Sequence, residues 1–455
     1  MKCGLKEGAR LVVWIMMITS LLVSTGCEIS LGGDPVADDE EDTGFAKEIE
    51  RISVASGGSQ ANGSSEAPSI SSDGAIVAFI SNATNLVAAD TNSAADVFVR
   101  DLDTGITQRV SVASAGTQAN DDAFTLALSA DGRFVAFGSY ATNLVVGDTN
   151  AKIDVFIRDR DTGTTERVSV TSLGVQADNE SFSPAISSNG RYVAFRSDAT
   201  NLVLIDTNNS SDIFVHDRLN GLTERVSVAS DGTQANGDSI SPAISSDGRF
   251  VAFSSKASNL VVDDTNNKVD IFLHDRQTDT TERIAGPAEF DTGSGILIVS
   301  PAISPDGGFL GIRSNANDLV AGDTNNSFDT FLVDSDTLVV ERISVSSSEV
   351  EGNSDSSQPS ISSNNRYAVF SSIATNLVLQ DTNGSEDVFV RDRDLGQTRR
   401  VSFAFDGSEG DDDSFSAVIS ADGQFVAFTS LAENLVATDT NGVSDIFVMP
   451  NPFLP

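Results

Sequence analysis

Ser241-Pro242-Ala243-Ile244-Ser245-Ser246-Asp247-Gly248-Arg249-Phe250-Val251-Ala252-Phe253 reads as two short strands joined by a tight turn. The run Ser241 to Ser245 stops at Asp247-Gly248, a strong hairpin signal, and Arg249 to Phe253 make the return strand. After a loop of about 16 residues comes Asp270-Ile271-Phe272-Leu273-His274-Asp275, then a turn and Thr281-Glu282-Arg283-Ile284. The unit therefore has four strands. Its second and third strands are apolar on consecutive residues, which requires both faces of the sheet to be covered.

The unit repeats. Asp-Thr-Asn begins at Asp90, Asp148, Asp206, Asp264, Asp323, Asp381 and Asp439, with successive spacings of 58, 58, 58, 59, 58 and 58. Seven copies of a four-stranded sheet that must be covered on both faces predict an all-β, seven-bladed β-propeller. The last copy stops after its third strand, Asp445 to Met449, and the missing fourth strand is Glu48-Ile49-Glu50-Arg51-Ile52-Ser53-Val54, a copy of Thr223 to Val228. An N-terminal strand that completes the last blade closes the ring and leaves no free edge. The predicted domains are a signal peptide at 1–26, an acidic tether at 27–47, the propeller at 48–450 and a C-terminal tail at 451–455.

The quoted unit is similar to the WD-like repeat of TolB-type periplasmic propellers, with a Ser-Pro-Asp-Gly turn, an apolar strand and an Asp-Ile-Tyr-Val-like strand. The resemblance covers every unit. This chain differs in using Phe for Tyr, in having seven units rather than six, and in a longer loop between the second and third strands. The resemblance implies a propeller with a periplasmic protein-binding role.

Lys2, Lys6 and Arg10 precede an apolar run from Leu11 to Val23, too short for a comfortable span, which predicts export. Ser24-Thr25-Gly26-Cys27 resembles the lipobox of bacterial lipoproteins, with Ser24 where Leu is usual. That resemblance implies a lipidated Cys27. Glu28, rather than Asp, follows it and does not resemble an inner-membrane retention signal, so the expected location is the periplasmic face of the outer membrane or the cell surface. Cys3 leaves with the signal, so the mature chain forms no internal disulfide. The segment from Glu28 to Lys47 has little to bury and reads as a flexible tether.

Removing Lys2, Lys6, Arg10 and Glu7 from 28 basic and 66 acidic residues leaves 25 and 65, a net charge of −40. Such a field disfavours nucleic acid and anionic lipid surfaces as partners, and favours cations and basic partners. No nucleophile elbow, phosphate loop or zinc helix occurs. His216 and His274 share one repeat position with Arg100, Arg158 and Arg391, which predicts a blade-surface role rather than catalysis. The repeated pairs such as Asp73-Gly74 and Asp247-Gly248 read as turn formers.

Topology divides the propeller into two faces. The first-to-second and third-to-fourth turns share one, and the second-to-third loop and the crossing to the next blade share the other. The loop face is the expected binding face, with its Asn and Asp side chains around the channel mouth. Asn85, Asn143, Asn201, Asn259, Asn376 and Asn434 begin a recurrent Asn-Leu-Val there and are candidate contact residues. The leucine is expected to anchor the loop on its blade. Asp206, Asn208 and Asp212, Asp323, Asn325 and Asp329, and Asp381, Asn383 and Asp387 are candidate calcium ligands, with oxygens at loop positions one, three and seven. The competing reading makes them turn formers, and calcium is the one cofactor the pattern admits. Two irregularities are the insertion 285–295 and the acidic Glu409-Gly410-Asp411-Asp412-Asp413.

These residues predict a monomeric, envelope-associated binding or scaffold propeller that takes a protein or polymer on its loop face. The alternatives are a propeller hydrolase or lyase with carboxylates at the channel mouth, and a calcium-stabilised structural surface protein.

Overall fold

The computed structural model describes residues 49–262, 264–265, 268–284 and 301–454. The signal segment, the tether with Cys27, and the insertion 285–295 lie outside the described residues. Among those described, 28 strands form seven four-stranded antiparallel sheets. Blade 1 covers residues 65–109, and the rest follow in chain order.

Blade 3 shows the plan: Ser181–Ile186 at the channel, then Tyr192–Ser197, Asp212–Asp217 and Leu222–Arg225 outward. The first strand of blade 4 is Ser239–Ile244, two residues longer at its start than the quoted run suggests. Its added end is held by Ser239 Oγ against Ser255 Oγ at 3.0 Å.

Phenylalanines of the second and third strands stand opposite each other, as Phe195 and Phe214 do with ring centroids 6.0 Å apart. Both are fully buried, and each blade packs this layer against its neighbour. Consecutive apolar residues thus cover both faces of the two middle strands.

Blade 7 closes as expected. Ser414–Ile419, Phe425–Ser430 and Asp445–Pro450 are joined by Glu50–Arg51, paired to Val448 and Phe447. The pairing continues through Ile52 N to Ile446 O at 2.7 Å. Ile52, Ile446 and Val448 share a core with Val77, Phe79 and Phe98 of blade 1. The residues after the last strand also pack on the body: Asn451 Nδ2 donates to Gly423 O at 2.8 Å, and Phe453 stacks on Tyr367 at 6.2 Å.

A belt of backbone hydrogen bonds runs around the channel on the turn face. Ser72 N donates to Ala130 O, Ala130 N to Ser188 O, Ser188 N to Ser246 O, and Ser246 N to Pro305 O. Ser363 N donates to Ala421 O, and Asp422 N returns to Ser72 O. Pro305 has no N–H, so the link from blade 5 to blade 6 is missing. An Asn365 Nδ2 to Asp306 Oδ2 bond at 3.0 Å bridges that seam instead.

Candidate binding face

The six candidate asparagines of the loop face are engaged with the chain itself. Asn85 Nδ2 donates to Gln60 O at 2.8 Å and its Oδ1 accepts from Asn62 N at 3.0 Å. Asn143, Asn201, Asn259, Asn376 and Asn434 make the same two bonds to the crossings that precede their blades. The leucine that follows is buried in every blade, as expected for an anchor.

The Asp-Thr-Asn loops do not turn their carboxylates to the channel mouth. They lie between the two middle strands, and their side chains point outward to an arginine of the outer strand. In blade 3, Arg225 Nη1 lies 3.5 Å from Asp206 and 3.1 Å from Asp212. Asp212 also accepts from Ser227 at 2.6 Å and from Asn208 Nδ2 at 3.2 Å, while Asn208 Oδ1 accepts from Ser210 N. Arg342 joins Asp323 and Asp329, and Arg400 joins Asp381 and Asp387, with Asn325 and Asn383 placed as Asn208 is. An arginine thus stands where a cation of the predicted loop would. Reading the Asp-Thr-Asn triplets alone missed it, although an arginine sits at that point of every outer strand: Arg51, Arg109, Arg167, Arg225, Arg283, Arg342 and Arg400.

Blades 5 and 6 carry an extra carboxylate. Gln118 and Gln176 donate Nε2 to Asp90 and Asp148 at 3.1 and 3.0 Å, but the equivalent residues here are Glu351 and Glu409. A carboxylate accepts and cannot donate, so neither glutamate can replace that bond; Asp323 Oδ2 is buried without a hydrogen bond, as Asp206 Oδ1 is in blade 3. Burial, with Asp329 beside it, pushes the Asp323 carboxyl up to about 6. Burial, opposed by Arg400, pushes Asp381 up to about 6. Oxygens of Asp323, Asp329 and Glu351 lie within 4.8 Å of one another, around Arg342 Nη1.

The histidines are not on the blade surface. His216 and His274 are buried, with Nδ1 2.9 Å from Thr223 and Thr281 Oγ1. Burial depresses both pKa values. Arg100 bonds Thr107 in the same way at 3.1 Å, which explains why histidine and arginine exchange at this position.

A cavity of about 730 Å³ occupies the channel, and none of the described residues lining it is ionisable. Its wall is formed by first-strand residues such as Ala67, Leu126, Ser188 and Val418.

At the loop end of the two inner strands, the side chains stop repeating. The residue after the second strand is Asn82, Tyr140, Asp198, Lys256, Asn315, Ile373 and Leu431 in the seven blades. The guanidinium of Arg196 lies 4.4 Å from the centre of the Phe182 ring, and its Nη2 donates to Ser211 Oγ at 2.8 Å. Arg313 lies 3.9 Å from the Phe328 ring, and Tyr140 lies 5.4 Å from Phe124. Glu386 accepts from Ser371, and burial raises its carboxyl pKa. No other blade has an acid before its third strand. Comparing the seven repeats position by position is the sequence signal that finds this rim.

No protein-family model and no curated protein matches the chain. Among solved structures it is similar to an oligogalacturonate lyase in complex with manganese, at 13% identity and TM-score 0.53, over 90% of this chain and 95% of that one. It is similar to the β-propeller domain of the Trilobed protease from Pyrococcus furiosus, which has an open velcro topology, at 12% identity and TM-score 0.51, over 85% and 95%. TolB from Acinetobacter baumannii matches at 16% identity and TM-score 0.39, over 67% of this chain and 58% of that one, so the chain spans less than two thirds of that TolB. Likeness at such identities establishes the fold alone.

Proposed function

We propose that the protein is an envelope-associated binding or scaffold propeller that takes a protein or an extracellular polymer on its loop face. One observation carries the reading: positions that build the blade repeat around the ring, whereas those at the inner rim of the loop face differ from blade to blade. A rim that served only folding would repeat with the fold. Arg196 and Arg313 lie as flat guanidinium planes over the Phe182 and Phe328 rings, and the exposed Tyr140 adds an aromatic ring. Such surfaces suit stacking on sugar rings or peptide groups.

Tyr140→Ala and Arg196→Ala together are the test, read as retention on immobilised envelope polysaccharide and solubilised envelope proteins. The parent is expected to be retained and the variant to elute early with its melting temperature unchanged. Equal retention would remove the rim from the reading. Turnover of a glycan or ester substrate would replace it with the hydrolase or lyase reading. The envelope location rests on Cys27, and mass spectrometry of the mature N-terminus should find that residue acylated.

A further inference from the structure

We infer that the loop face docks on a lipid surface through the tips of its second-to-third-strand loops. The residue after each Asn-Leu-Val, or after Asp318-Leu319-Val320 in blade 5, is aliphatic in all seven blades. Val146, Leu204, Val262 and Leu379 are 103%, 104%, 88% and 65% exposed, and the other three blades have an exposed alanine. Ile205, 71% exposed, extends the tip of blade 3. In a chain in which 21% of residues are charged, no charge falls at this position.

Folding does not account for the pattern, since an apolar side chain left in water contributes no burial. Ring geometry does. Equivalent positions in blades related by rotation about one axis lie at one height, so the tips define a plane across that axis. A bilayer presents a plane, and acyl chains close around each separate tip, whereas a protein would need a fitted socket for each.

Charge points to a neutral lipid surface. Lys152, Lys256 and Lys268 are the only lysines after Lys47 and lie on the loop face, but Lys256 is 3.8 Å from Asp238, and exposed Asp121, Asp122, Asp178, Asp411, Asp412 and Glu433 share that face. An anionic leaflet is therefore expected to weaken the docking, which the apolar tips carry. The tips surround the inner rim, so with the face docked the rim is open only to a partner at the membrane surface.

The test uses the full chain with Cys3→Ser and Cys27→Ser, so that no acyl group is attached. It is floated with phosphatidylcholine vesicles, with and without phosphatidylglycerol. Adding Val146→Ser, Leu204→Ser and Val262→Ser is expected to lower the vesicle-bound fraction about tenfold, with an unchanged melt. In the same background, a polarity-sensitive dye on Leu204→Cys should shift to the blue with vesicles and be quenched by brominated acyl chains. A dye that stays in water while the chain floats would overturn the inference, because the N-terminal segment would then be the membrane contact. Flotation that needs phosphatidylglycerol and survives the triple substitution would overturn it in favour of charge alone. Shielding of the dye only by solubilised envelope protein would make the tips a protein interface and overturn it equally.

Discussion

Gly248 meets two constraints at once. Its φ is +76°, and a Cβ there would lie 2.2 Å from Cδ2 of Tyr192 in the preceding blade. Gly232 has φ +83° with nothing within 4 Å. Gly232→Ala should therefore cost about 1 kcal/mol of backbone strain, and Gly248→Ala about 2–4 kcal/mol because the ring must also move. Chemical denaturation of the two variants measures the difference, and equal losses would mean that the neighbouring ring yields freely. A second prediction concerns acid. Arg191 and Arg249 hold Asp217 and Asp275 through paired bonds of 2.6–2.9 Å, and these bonds keep both carboxyls below the usual range. A carboxyl depressed by folding contributes stability above its unfolded pKa of about 4 and loses it as pH falls through the folded value. Asp217→Asn with Asp275→Asn should thus flatten the loss of stability below pH ~4, as well as lowering stability at neutral pH. Melts from pH 7 to pH 3 would show it.

At the scale of elements, the N-terminal strand restores to blade 7 what outer strands give elsewhere. Arg51 lies 3.1 Å from Asp439 and 3.5 Å from Asp445, and Gln60 Nε2 donates to Asp439 at 2.6 Å. Deleting residues 48–54 leaves Asp445 buried without its cation and the third strand with an open edge, so we expect the melting temperature to fall by more than about 5 °C. A smaller fall would mean that the ring holds without this strand. The same arginine bears on calcium. With Arg225 already beside Asp206 and Asp212, millimolar calcium at matched ionic strength is expected to leave the melt where chelator leaves it. A rise that disappears on Asp206→Ala with Asp381→Ala would reinstate these loops as calcium ligands.

Over the whole molecule, the irregularities gather at one seam. The belt around the channel is interrupted at Pro305, and the first strand of blade 6 is Ser360–Ile361, separated from an isolated bridge between Ser356 and Ser372, where blade 4 has one strand of six residues. Blades 5 and 6 hold the additional Glu351 and Glu409 beside buried aspartates. Ring closure shares the cost of any opening between neighbours, so opening should begin where the neighbours hold each other least. Hydrogen exchange is expected to be faster at Ile303 and Ile361 than at Ile244 on the equivalent strand of blade 4. Uniform protection around the ring would remove the seam.

The number of blades, their four strands, the Asp-Gly turns and the permuted closure are properties of the sequence itself. Each is a local pattern or a repeat of one, and a spacing of 58 residues needs no coordinates to be read. The destination of a polar side chain is a different kind of fact. Asn85 reads as a loop residue open to a ligand, yet its amide is engaged by a crossing some 23 residues away. The aspartates of the Asp-Thr-Asn loops read as ligands for a metal, yet an outer-strand arginine reaches them across the blade. His216 and His274 read as surface residues, and the outer edge of the blade buries them. Tyr140, Asp198 and Lys256 lie 58 residues apart in the chain and share one rim because the ring brings equivalent positions to one radius and height. Periodicity along the chain settles which elements form, whereas what faces what is settled by packing between segments distant in the chain, and only the tertiary structure holds that.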